Sequence, residues 1–450
     1  MNRSRAITAR KIFYEGRFRD GLALVISDDT IERVGPADQL GPLPIEDWGD
    51  VALIPGTVNA HGHAFQNLFK GIADDLAFES WRDDVLYPLS AELDDDSLYI
   101  GALFAFTEAL LAGVTTTVDF FYLNDGSNDN AEVVIRAAKD AGIRLVLART
   151  FYDKDAPTQA PGRYREAAAD AARRTRELAE GHSDDELISV QPAPHSLHAC
   201  APATLALARD VSRDLGVPWH LHLAEARYEI DLVAERHGTT PVRLLAREGL
   251  LDERLVAIHA VWLDDEELDL LAETGVGVVH CPGANAFLGD GVARLDEMLR
   301  RGIRVGLGPD GGCANNRQSV FDEMRLASLF VKARLNDGAA LSAQDAFRLG
   351  TVAGAELLAL PVGELASGRK ADVVAVDLDD PSVMPERNLE RHLVNSMQST
   401  AIARVMVAGQ VVVDAGRTTK VDRADLRRRL DEVTDGWTRP GGPRLGTNLP

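Results

Sequence analysis

The chain has 450 residues, 45% of them hydrophobic, and carries 48 lysines and arginines against 70 aspartates and glutamates, for a formal net charge of −22. That length accommodates one large α/β domain and a small companion. The acidic balance argues against nucleic acid or an anionic membrane as a partner, since both require a basic face.

From the N-terminus, residues 1–10 are basic but lack a long apolar stretch, so they do not read as a signal peptide. No segment approaches the roughly 20 apolar residues of a membrane span. Short β-prone runs follow at 6–9, 11–14, 22–27 and 30–34, with Gly and Asp between them. After about residue 51 the pattern changes to short apolar runs alternating with Ala- and Leu-rich segments. Runs at 52–58, 114–119, 143–149, 187–193, 217–222, 255–259, 275–280 and 303–309 are predicted strands. Segments 97–112, 129–141, 163–180, 202–215, 226–248, 264–273 and 291–301 are predicted helices. Eight β-then-α units in succession predict a (β/α)8 TIM barrel. Near residue 370 strand-and-turn patterning returns, at 371–377 and 403–414. Both chain ends are therefore expected to pair into one small β-sandwich. The division is 1–54 for the N-terminal part of the sandwich, 55–365 for the barrel, 366–425 for its C-terminal part and 426–450 for a tail, Pro- and Gly-rich from Thr438.

Several predicted strands end abruptly in polar groups. His61 and His63 follow the first, His222 closes the fifth, His259 the sixth and Asp310 the eighth. In an extended chain, positions i and i+2 face the same way, so the His61/His63 pair can grip one ion. Barrel active sites gather at the C-terminal ends of the strands, so all five residues are expected at one mouth. Three imidazoles and a carboxylate (His61, His63, His222 and Asp310) can hold a divalent metal with a position open for water. Zinc is the expected ion, with iron the alternative. Glu225, one turn beyond His222, can take a proton from that water and deliver it to a leaving group. His259 is either a further ligand or the group that orients the water. A second ion would normally need a bridge such as a carbamylated lysine ending the third or fourth strand. Neither 143–149 nor 187–193 contains a lysine, so one ion is expected. Three cysteines, Cys200, Cys281 and Cys313, are far apart and odd in number. This argues against a disulfide framework and fits a reducing cytoplasm.

These motifs resemble the amidohydrolase superfamily, in the branch of S-adenosylhomocysteine, cytosine and 8-oxoguanine deaminases and triazine hydrolases. The carriers are Pro55 to His63, Gly71 to Asp75, Gly113 to Thr117, His222 to Glu225, His259-Ala260, Val279 to Pro282, Gly306 to Gly311 and Gly368 to Asp372. The resemblance implies a barrel with a β-sandwich. It implies His61, His63, His222 and Asp310 as ligands, Glu225 as proton shuttle and His259 as the orienting group, with Asp310 also able to accept the water proton. Two loops depart from the pattern: Ala284 replaces the usual serine before Asn285, and Gly311-Gly312-Cys313 replaces a more usual Ala-Ala-Ser. Ser80-Trp81-Arg82, Phe120 to Tyr122, Ala193 to His198 and Leu288 to Gly291 are instead similar to formimidoylglutamate deiminase. That likeness implies Arg82 as a contact for a substrate carboxylate; Gln66 is a hydrogen-bonding contact under either resemblance, and His195, at the end of the fourth strand, is a further candidate contact.

The expected activity is a metal-dependent aminohydrolase that releases ammonia from an amidine-like carbon of a purine, pyrimidine or related nucleoside. A formimidoyl amino acid substrate, a triazine-type leaving group and a non-catalytic ligand-binding barrel are the alternatives. A cytoplasmic homo-oligomer acting on a small molecule is expected.

Overall fold

The computed structural model describes residues 4–437. Apolar runs without polar alternation form strands covered on both faces. Eight such strands alternate with helices: β1 (Thr57–Asn59), β2 (Val114–Phe121), β3 (Arg144–Phe151), β4 (Ile188–Pro194), β5 (Trp219–Leu223), β6 (Leu255–His259), β7 (Gly277–His280) and β8 (Val305–Leu307). β1 to β4 pair in parallel in chain order, and β5 to β8 form a second four-stranded parallel sheet. Hydrogen bonds join the sheets at both seams: His222 N donates to His195 O at 3.2 Å and His220 Nε2 meets Gln191 Oε1 at 2.7 Å at one, and Ala60 N donates to Leu307 O at 2.9 Å and Asp310 N to His61 O at 3.1 Å at the other. Parallel pairing within each sheet sends its strands' C-terminal ends to one side.

The helices between strands carry local start and stop signals. Asp94 and Ser97 form a capping box ahead of Asp95–Leu111, as Asp264 and Glu267 do ahead of Asp265–Thr274. The helix expected over 226–248 is two helices, Arg227–His237 and Pro241–Arg247. Gly238, at φ 67°, ends the first in left-handed backbone, and Pro241 opens the second. The helix expected over 291–301 shortens to Leu295–Arg300, and a further short helix, Pro282–Phe287, follows β7.

The chain ends contribute two sheets. One holds Ser4–Thr8, Leu22–Ser27, Thr30–Pro36 and Ile45–Asp47. The other has seven strands and mixes the ends: Val51–Pro55 pairs in parallel with Lys11–Tyr14 on one side and antiparallel with Val373–Asp377 on the other. Ile7, Leu24, Ile26 and Ile31 of the first sheet share one apolar cluster with Leu53, Val373, Ala375 and Met406 of the second.

The single strand expected over 52–58 is divided at Gly56. Val51–Pro55 belongs to the seven-stranded sheet, and Thr57–Asn59 is β1. A Cβ at Gly56 would lie 2.1 Å from Thr115 Oγ1, so only glycine passes between the two units. Arg144 of β3 forks onto the buried Asp372 carboxylate at 3.0 and 3.1 Å and so ties the units together. The expected tail boundary at 425/426 cuts a helix, Arg423–Thr434, which packs on Asp95–Leu111. The Pro- and Gly-rich stretch from Thr438 lies outside the described residues. Among the described residues, no helix is long and apolar enough to cross a membrane.

Candidate active site

The strand ends bring the candidate groups together. His61 and His63 lie just past β1 rather than within it. Asn59 Oδ1 accepts from His61 N at 3.0 Å and turns the chain inward. The two imidazole centroids are 4.8 Å apart, and His222 from β5 lies 4.9 Å from His61. Asp310 Oδ1 is 3.4 Å from both His61 Nε2 and His63 Nε2. His259 Nε2 is 3.3 Å from Glu225 Oε1 and 4.0 Å from Asp310 Oδ2. His259 and Asp310 hold left-handed backbone, at φ 72° and 66°. Non-glycine residues keep that conformation only where their surroundings enforce it, commonly at functional sites.

Two groups have ligand atoms within 4.8 Å of one another: His61, His63 and His222, and His61, His259 and Asp310. The hydrogen bonds assign ring tautomers. A carbonyl oxygen only accepts, so His63 Nδ1 donates to Phe120 O at 2.7 Å and His222 Nδ1 donates to His195 O at 2.8 Å. Both then offer a bare Nε2, the arrangement a metal-binding imidazole requires. Both ring nitrogens of His61 are buried without a hydrogen-bond partner, which is costly unless another atom meets one of them. Burial lowers the pKa of His61 well below the usual range, that of His63 to about 3, and also that of His222. The rings are thus neutral, as ligands must be. The donor set fits a divalent ion.

Glu225 is pushed well above the ordinary carboxylate range, first by burial and then by Asp290, Asp310 and Glu229. Its backbone N donates to Glu229 Oε2 at 3.1 Å. Together with His63, His222, Glu225, His259 and Asp310, the residues Gln66, Arg82 and His195 line one cavity of about 50 Å³. His61 lies beneath it, fully buried. Phe78, Trp81, Leu86, Tyr87 and Tyr228 also line it. Gln66 Nε2 donates to Tyr122 OH at 2.8 Å. His195 and His198 share the Ser196 hydroxyl through their Nδ1 atoms at 3.0 and 2.9 Å. Arg82 stacks near the Phe78, Tyr87 and Tyr228 rings, and its only carboxylate partner among the described residues is Asp83, at 2.7 Å.

The departures in the loop after β8 have a steric reason. A Cβ on Gly311 would meet Gln66 Oε1 at 1.8 Å, and one on Gly312 would meet Asn67 Oδ1 at 2.2 Å. The paired glycines let the segment after His63 close over the site. His280 and Cys281 are buried but do not line the cavity. Asn285, which touches His259, and Asp290, which raises Glu225, stand in the sequence only as members of family-like loops, with no role at the site assigned to either.

Residues 52–412 match the amidohydrolase family. The chain belongs to that family. Amidohydrolase relatives along nearly the full length include a 5-methylthioadenosine/S-adenosylhomocysteine deaminase of Syntrophobacter fumaroxidans, 34% identical over 94% of this chain and 93% of the relative. A 5'-deoxyadenosine deaminase of Methanothermobacter thermautotrophicus is 35% identical over 92% and 94%. Among solved structures, a zinc-bound adenosine deaminase from Xanthomonas campestris superposes with a TM-score of 0.88 at 28% identity, covering 96% of this chain and 97% of that one. The amidohydrolase fold implies a (β/α)8 barrel with an added β domain, and the zinc-bound neighbour supports a divalent metal in this family's site.

Proposed function

We propose that the chain is a metal-dependent aminohydrolase that removes the amino group of an adenosine-type nucleoside as ammonia. The observation that carries this reading is the convergence of His61, His63, His222 and Asp310 beside the Glu225–His259 pair, in a chain whose full-length relatives are named nucleoside deaminases. In this reading the two four-stranded sheets close as one barrel over 55–365, the end sheets form a β-sandwich from 1–54 and 366–425, and the cytoplasmic enzyme assembles as a homo-oligomer that does not bind nucleic acid. One zinc per chain would be held by His61, His63, His222 and Asp310. When bound, such an ion acts as a Lewis acid and makes a nucleophile of water near neutral pH.

The chain's own groups manage the protons. Glu225, 3.3 Å from His259 Nε2, takes a proton from the attacking water and delivers it to the departing nitrogen. Its raised pKa suits the delivery, because a carboxyl that holds its proton near neutrality serves as a general acid. His259 gives a hydrogen bond that orients the water, and Asp310 accepts from it. Gln66 and His195 contact the heterocycle. The cavity of about 50 Å³ is walled on one side by Phe78, Trp81, Arg82, Leu86 and Tyr87, and Trp81 Nε1 donates to Cys313 O at 2.9 Å, so in this reading that wall shifts to admit a nucleoside.

A specific observation favours a second reading. Arg82 is a largely buried guanidinium in the cavity wall whose only described carboxylate partner is its neighbour Asp83. An anionic substrate such as a formimidoyl amino acid would find a match there. The test is ammonia release from a panel of adenosine derivatives, aminopurines and formimidoylglutamate, with metal analysis of the same sample. Turnover of the nucleosides alone supports the first reading, and turnover of formimidoylglutamate alone replaces it with the second.

A further inference from the structure

The ends of β5 and β6 run through backbone that has to be held in place. Ala224 lies at φ 53°, and His259 and Ala260 lie at 72° and 49°. Non-glycine residues keep left-handed backbone only where their surroundings enforce it. Ala224 O accepts from Val261 N and Trp262 N, each at 3.0 Å, and Leu223 O accepts from Ala260 N at 3.1 Å. These bonds tie the two strand ends together immediately ahead of Glu225. The amide of Glu225 itself goes to a side chain and not to the neighbouring strand: Glu225 N donates to Glu229 Oε2 at 3.1 Å.

Glu229 is the third residue of the helix Arg227–His237, whose N-cap is Ala226. A glutamate at that position ordinarily reaches back to the amide of the N-cap residue. Glu267 does so in this chain, accepting from its N-cap Asp264 N at 3.0 Å. Glu229 reaches one residue further and takes the amide of Glu225. The bond therefore holds the residue ahead of the helix start and leaves the N-cap amide aside. Glu229 lines the cavity and is 3% exposed, and its Oε1 is buried without a hydrogen-bond partner. Burying a carboxyl under those conditions is costly, and starting a helix does not require it.

We propose that Glu229 is a positioning residue for the reaction: its carboxyl fixes the backbone of Glu225 and so aims the Glu225 side chain at the space beside His259 Nε2. Glu225 Oε1 lies 3.3 Å from that nitrogen. The Glu225 amide is one bond from Cα, so an acceptor that anchors it also sets the direction of Cα–Cβ. A displacement of about 1 Å at a reacting group can cost about 10²-fold in rate.

The proposal rests on the reading above in which Glu225 shuttles the proton. Glu229→Met fills the same space and removes the acceptor, whereas Glu229→Gln keeps an acceptor oxygen. In zinc-loaded protein, with the fastest substrate among adenosine derivatives, aminopurines and formimidoylglutamate, Glu229→Met should lower kcat by about 10²-fold. KM, zinc content and the thermal midpoint should stay near wild type, and Glu229→Gln should recover most of the rate. The deciding comparison repeats Glu229→Met in the Glu225→Gln background. A residue that acts through Glu225 has nothing left to aim there, so kcat should change by less than about twofold, the usual error of such cycles. A further loss in that background as large as in the wild type overturns the proposal, as does an equal loss in Glu229→Gln or an unchanged kcat in Glu229→Met. Near-normal turnover in Glu225→Gln counts against the shuttle reading instead. Amide hydrogen exchange needs no turnover. The Glu225 amide should be protected in the wild type and in Glu229→Gln and should exchange faster in Glu229→Met. An unprotected Glu225 amide in the wild type overturns the proposal whether or not any variant folds or any compound is turned over.

Discussion

Glu225 meets two opposing demands, because the same burial that excludes bulk water from the site disfavours its charged form. In the proposed mechanism its raised pKa lets it hold the proton it takes from water until the leaving nitrogen needs one. Glu225→Gln preserves the shape and removes the proton carrier. It is expected to retain metal and fold but to lose about 10²–10⁴-fold in kcat; metal analysis beside steady-state kinetics checks this, and near-normal turnover would rule Glu225 out as the shuttle. Arg82 reports on the substrate. A guanidinium matches a carboxylate through a fixed two-pronged donor geometry, so Arg82→Met should raise KM steeply for an anionic substrate and leave neutral nucleosides nearly unaffected. A large effect on neutral nucleosides would show that the residue shapes the pocket rather than reads charge. At this scale the convergence of His61, His63, His222, Glu225, His259 and Asp310 was legible from the sequence, because polar groups stand out at the ends of apolar strands. Their partners were not. The Phe120 and His195 carbonyls that orient His63 and His222 are backbone atoms with no residue signature, and Asn285 and Asp290 lie in a loop without periodicity.

The helix Val320–Leu335 shows how an element off the cavity governs it. Its Glu323, fully buried, accepts from Gly283 N at 2.8 Å and from Asn315 Nδ2 at 2.8 Å, and Asn315 also donates to Pro309 O at 2.9 Å. One carboxyl thus clamps the loops after β7 and β8, next to Asn285 and Asp310. Burial raises its pKa from 4.5 to about 7. Between those values the folded chain holds a proton that the unfolded chain has released. The stability contribution is therefore complete below pH 4.5 and is lost as pH rises towards 7. Glu323→Gln keeps an acceptor and removes the titration. The variant should gain on wild type between pH 5 and pH 8, by up to about 3 kcal/mol at 1.36 kcal/mol per pKa unit, in denaturant unfolding at the two pH values; parallel curves would show that Glu323 does not carry the dependence. This helix went unassigned in the sequence because it is apolar on more than one face. Likewise the run from Val51 to Val58 reads as one strand although Pro55-Gly56 breaks it, and Thr115 enforces the division by excluding a Cβ at Gly56. The alternating strands and helices between them were readable, since strands covered on both faces leave continuous apolar runs.

Across the whole molecule, the four proposed metal ligands come from different sheets. His61 and His63 follow β1 in one four-stranded sheet, whereas His222 and Asp310 belong to β5 and the end of β8 in the other. The described hydrogen bonds across the two seams are few, including His222 N to His195 O and Ala60 N to Leu307 O. An ion held by all four side chains would therefore span the two sheets and act as a staple for the global fold. Binding to the folded state alone stabilises by about 2.7 kcal/mol when free metal is 100 times Kd. Thermal unfolding should accordingly occur several degrees lower after chelation and recover when zinc is restored, with the midpoint rising as free zinc is raised. His61→Ala removes the ligand shared by both three-residue groups. It should abolish that zinc-dependent rise together with turnover, while the apo variant still unfolds cooperatively. A midpoint that is the same with and without chelator, in a sample shown by metal analysis to lose its ion, would refute the staple and confine the metal to chemistry.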